Sequence, residues 1–155
     1  GWVREAAPTQ PLTSGLWRGG DWSKLSELSA VDRLQLALSD VITFHSYDPP
    51  AQLEARIVQL QGYKRPIICT EYMARGNGST FQGSLPVLQR HNVGAINWGL
   101  VQGKAHTHLP WDSWRRPYVD RDPAVWFHEV FSNDGAPYDP AETALIRKVT
   151  STPVK

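Results

Sequence analysis

At 155 residues the chain has the length of one domain with a real core, and its net charge of +1 announces no polyanion partner. Nucleic acid is therefore set aside, and so is a membrane, because no apolar run approaches the roughly 20 residues a spanning helix needs. The sole cysteine, Cys69, excludes an intramolecular disulfide framework and a Cys-rich zinc site, while seven tryptophans point to a packed aromatic core or a cleft for a flat ligand.

The first ten residues lack the charged-then-apolar layout of a signal peptide and read as the tail of a helix. "QPLTSGLW", 10–17, reads as a first strand. Next, "DWSKLSELSAVDRLQLALS" spaces Leu25, Leu28, Val31, Leu34 and Leu38 as a helix would, with a break near Ser29. A second strand spans 41–47 and is closed by a double proline. "AQLEARIVQLQGY" sets Leu53, Ile57, Val58 and Leu60 on one side and stops at Gly62, which suits a helix C-cap.

The third strand, 66–70, is a short apolar run that ends on Glu71, where an unpaired buried charge would cost several kcal/mol. A helix follows in "STFQGSLPVLQRHN", compromised by Gly83 and Pro86, and "VGAINWGLV" is the fourth strand. A proline-rich aromatic loop, 102–125, leads to a last helix with Asp139 as N-cap and Pro140 in its first turn.

Strand and helix alternate in the grammar of a parallel sheet, and four βα units fit either a doubly wound sheet or half of a (β/α)8 TIM barrel. The polar residues decide between them. His45 and Tyr47, then Glu71, then Asn97 and Trp98 all fall at or just past the carboxyl ends of their strands, the face on which barrel enzymes build sites. A nucleotide-binding sheet would carry a glycine-rich fingerprint after its first strand, and "GLWRGGDW" does not match one. The expected fold is thus a single α/β half-barrel domain over 1–155. Its open edges and exposed inner face call for completion, most simply by a second copy in a homodimer, or else by the rest of a longer protein of which the chain is one segment.

Taken together, "PLTSGLW", "ITFHSYDPP", "PIICTEYMAR", "GAINWGLV" and "WFHEVFSNDGAPYDPAETALIRKV" resemble the C-terminal half of clan A glycoside hydrolases, the retaining TIM-barrel β-glycosidases and cellulases. The resemblance implies strands five to eight of a barrel. It implies Glu71 as nucleophile, Tyr47 and His45 as its supports, and Trp98 as the floor of a sugar subsite. It also implies that the family's general acid/base glutamate would lie upstream of Gly1.

A retaining glycosidase needs a second carboxylate about 5–5.5 Å from the first. Asp48, Asp112, Asp120 and Glu129 are the candidates within the chain, and none follows a buried strand as Glu71 does. Each site residue also has a plainer reading: Glu71 as an ion-pair partner of Arg65 or Arg75, His45 as a core histidine. Trp2, Trp17, Trp22 and Trp126 fit core packing as well as a site. In "KAHTHLPWDSW" the H-x-H of His106 and His108 lacks a third ligand at a matching spacing, so Trp111 and Trp114 are read as lining a glycan cleft and no metal or cofactor is expected. The sequence thus predicts a β-linked oligosaccharide as ligand, beside Asn97, Trp98, Trp111 and Trp114, with negligible hydrolysis by this chain alone. The rival reading is a non-catalytic, self-associating or glycan-binding half-barrel.

Overall fold

The structure, a computed structural model, describes residues 2–17 and 20–151. Three parallel strands, β1 (Ile42–His45), β2 (Ile67–Glu71) and β3 (Gly94–Ala95), pair in chain order. The helices are α1 (Trp2–Glu5), α2 (Ala30–Leu38), α3 (Pro50–Gln61), α4 (Phe81–Arg90) and α5 (Pro140–Thr150). The fold is therefore mixed α/β around a small parallel sheet.

The first expected strand is reduced to one bridge, Leu16 to Phe44. Its upstream amides bond side chains instead of a ladder: Leu12 N–H donates to Asp40 and Ser14 N–H to the Ser39 hydroxyl. At the other edge β3 is short, yet Ile96 N–H still donates to the Cys69 carbonyl and Trp98 N–H to that of Tyr72. The four expected segments thus lie side by side in sequence order.

Burial follows the strand period. Ile67 and Cys69 face the core, while Ile68 and Thr70 on the opposite face are half-buried. With Ile42 and Phe44, the buried face joins Leu53, Ile57 and Leu60 of α3 and Leu85 and Leu88 of α4 in one cluster. Each such aliphatic side chain contributes about 1.5–3 kcal/mol on burial.

Helix ends obey their capping residues. Ser29 caps α2 by accepting from Asp32 N–H, and its hydroxyl donates back to the Asp32 carboxylate, so the break expected near Ser29 is a cap. Thr80 caps α4 and Asp139 caps α5, with Pro140 as first residue. Two expectations need correction. On α2 the buried positions are Asp32 and Leu36, while Val31, Leu34 and Leu38 form an exposed stripe. After α3, Gly62 is the C-cap, as expected, in a right-handed conformation, and Lys64 takes the left-handed turn at φ 54°. Val58, expected beside Ile57, is also exposed.

Candidate active site

An irregularity in the sheet brings the site together. Phe44 pairs with Cys69, but the next pair is His45 with Glu71, so β2 carries one extra residue at this point. Such a bulge re-aims the side chains beside it. His45 Nδ1 comes 3.1 Å from Glu71 Oε2, and the Tyr47 hydroxyl donates to the same oxygen at 2.7 Å. Oε1 accepts no hydrogen bond among the described residues. One carboxylate oxygen is held and the other left open, on a side chain 21% exposed.

Burial, then the Glu71 carboxylate, hold the Tyr47 hydroxyl well above the usual tyrosine range, so it remains a donor throughout neutral pH. Cys69, fully buried below Glu71, is pushed up to about 12, chiefly by burial, and is no nucleophile. Arg65 and Arg75 are engaged elsewhere: Arg65 donates to the Ser39 carbonyl, and Arg75 forms a buried bidentate pair with Glu142 at 2.9 and 2.5 Å. Among the described residues, neither forms an ion pair with Glu71.

Aromatic rings pack around the two side chains that hold the carboxylate. Tyr47 meets Trp17, Trp111 and His128 edge to face at 5.9, 5.2 and 5.4 Å between centroids, and Trp17 also meets His45 at 5.2 Å. A cleft of ≈240 Å3 opens against His45 and Tyr47, the two partners of Glu71, and is lined by them with Trp17, Asp48, Arg56 and Trp111 among others, but not by Glu71 itself. Trp17, which sequence reasoning left open between core and site, stands in the wall, whereas Trp22 is core and Trp126 stacks on Tyr138 at 4.9 Å.

The remaining candidates are placed as follows. Trp98 lies just past β3 with its ring about half exposed, and the Asn97 amide donates to the Gly99 carbonyl at 2.6 Å. Trp114 shares a short 3-10 turn with Trp111 but is 92% exposed. Among the weighed carboxylates, Asp48 pairs with Arg56 at 2.7 Å and Asp112 accepts from Tyr118. Glu129 is 1% exposed and accepts from Thr107. No three His, Cys, Asp or Glu side chains gather as a metal site would require, among the described residues.

Two residues escaped sequence reasoning. Met73, two residues past β2, is left-handed at φ 75°, a conformation costly for a residue with a side chain. Its carbonyl meets His128 Nδ1 at 2.7 Å, and the Trp111 indole N–H donates to His128 Nε2 at 3.1 Å. The only sequence signal for His128 was its place in the apolar run "WFHEVF". Gly99, at φ 81°, is fixed by the same histidine, since a Cβ there would stand 2.9 Å from His128 Cβ.

Set against known proteins, the chain matches no family model and no curated protein sequence.

Proposed function

We propose that the chain carries the nucleophile half of a retaining β-glycosidase site. The observation that carries this reading is Glu71 itself, with Oε2 held by Tyr47 and His45, two residues that line an aromatic cleft, and Oε1 accepting no hydrogen bond among the described residues. A carboxylate so held is oriented for attack on an anomeric carbon, while the Trp17 and Trp111 rings offer faces on which a sugar can stack. Among the described residues the carboxylates that neighbour site residues in sequence are engaged or buried, Asp48 by Arg56, Asp112 by Tyr118 and Glu129 in the interior, so none of the three is free to act as general acid.

The proposal extends to assembly: the domain is a half-barrel completed by a second copy. Sequential parallel order suits a barrel, because a doubly wound sheet reverses its strand order. Exposed apolar side chains stand on the elements before and after the three strands, Val31, Leu34 and Leu38 on α2 and Ile96, Leu100 and Val101 beyond β3. A twofold axis would set each group against the other's counterpart and close the ring.

A donor that needs no acid separates nucleophile from general acid. With 2-deoxy-2-fluoro-β-glycosyl fluorides of glucose, mannose, xylose and galactose, Glu71 displaces fluoride and keeps the sugar as an ester. The expected result is one added fluorosugar on the peptide containing Glu71, absent in Glu71→Gln. No adduct from any of the four would remove the nucleophile reading. Saturable quenching of tryptophan fluorescence by β-linked oligosaccharides, without an adduct, would favour the non-catalytic rival.

A further inference from the structure

His128 is built into the site by bonds that admit only one protonation state. An indole N–H can donate but not accept, so the 3.1 Å contact from Trp111 Nε1 requires a lone pair on His128 Nε2. A carbonyl can accept but not donate, so the 2.7 Å contact with Met73 O requires a proton on Nδ1. Together they specify the neutral Nδ1–H tautomer. The ring is buried, with Tyr47, Trp111 and Phe127 packed around it.

We infer that His128 is a positioning residue: as the neutral tautomer it anchors the Trp111 indole against Tyr47, and on protonation it releases that indole, loosening the aromatic wall beside Glu71. An imidazolium carries a proton on both nitrogens, so the bond from Trp111 becomes a clash of two donors. The Met73 carbonyl keeps its partner. Release is therefore confined to Trp111, the ring that lines the cleft with His45 and Tyr47.

The charged and titratable groups around the ring are Glu71 from the end of β2, Arg75 from the turn after it, Tyr47 from beyond β1 and Glu129 on its own segment. The two carboxylates and the Met73 carbonyl favour the imidazolium. Burial, the largest influence, and the Arg75 guanidinium oppose it and hold His128 below its ordinary value. The transition accordingly falls on the acid side of about 6.5.

This inference stands on hydrogen-bond chemistry and does not require the glycosidase reading. It is tested by nitrogen-15 NMR of the full chain between pH 8 and pH 5, with the Trp111 indole signal assigned by its loss in Trp111→Phe. Above the transition, His128 should show the Nδ1–H tautomer and Trp111 a hydrogen-bonded indole N–H. Below it, the indole signal should move with the same midpoint as the His128 ring. In His128→Gln, whose side-chain carbonyl can accept from the indole without titrating, the bonded signal should persist across the range. In His128→Leu the signal should stand at its low-pH position throughout. An Nε2–H tautomer, an indole signal unmoved while His128 titrates, or an unchanged midpoint in His128→Gln would overturn the inference. Should His128→Leu not fold, the wild-type titration and the glutamine variant decide it.

Discussion

At the scale of single residues, the site is a contest for lone pairs. Tyr47 and His45 both address Oε2 of Glu71, and a hydrogen bond to a charged group is worth about 1.5–3 kcal/mol. Tyr47→Phe should therefore slow esterification of Glu71 by the fluorosugar about 13- to 160-fold, the factor that energy corresponds to, measured as the rate of mass gain. An unchanged rate would remove Tyr47 from the machinery. His128 makes a second expectation, about stability. Its folded value is lowered by burial, so between that value and about 6.5 the unfolded chain binds more protons than the folded one. The contribution is complete above about pH 6.5 and is lost as pH falls through the folded value, so the urea midpoint should drop there in wild type and less in His128→Gln. His45, Tyr47 and Glu71 were legible because each falls at or just past the carboxyl end of a strand. His128 was not, because it comes from an irregular segment that only the fold carries to Met73, and no local pattern records a partner 55 residues away.

At the scale of elements, caps and apolar spacing settled most helix boundaries, and long-range contacts settled the rest. Gly83 in α4 reads locally as a weakness, since glycine costs about 1 kcal/mol against alanine in a helix. Its reason lies on α3. A Cβ at Gly83 would stand 2.5 Å from Cγ of Pro50, so the helix starts approach more closely than any side chain permits. Gly83→Ala should therefore destabilise the protein despite its better helix propensity, by about 1–3 kcal/mol from overpacking, read from chemical denaturation. A gain in stability would show that Pro50 yields. The stripe Val31, Leu34 and Leu38 misled in the opposite sense: it has the spacing of a core face but lies outside, while Asp32 turns inward to serve the Ser29 cap. The bulge between β1 and β2 left no mark in the sequence, because either register keeps Ile42 and Phe44 buried.

For the whole molecule, the assembly proposal and the chemistry constrain each other. In a ring of two copies the β2 strands stand four places apart. Two Glu71 side chains would then face one another from opposite walls, farther than the about 5–5.5 Å of double displacement, in identical surroundings that cannot separate an acid from a nucleophile. Light scattering at micromolar concentration should return twice the chain mass, Leu34→Glu should shift it toward the single-chain mass, and aryl β-glycosides with poor leaving groups should show negligible turnover. A strictly monomeric wild type would sink the assembly, and robust turnover lost in Glu71→Gln would sink the inactivity. One buried cation has a further reach. Arg75 binds Glu142 of α5, the Trp126 and Glu129 carbonyls and the face of Tyr138, with its guanidinium 4.4 Å from that ring. Because a buried charge stripped of its partner costs about 3–5 kcal/mol, α5 cannot swing away while the turn after β2 and the 126–131 segment stay closed. The three regions should breathe as a single unit, their amides trading hydrogen for deuterium at one common pace, so that the last helix, far along the chain from Glu71, sets how often the floor beneath it opens.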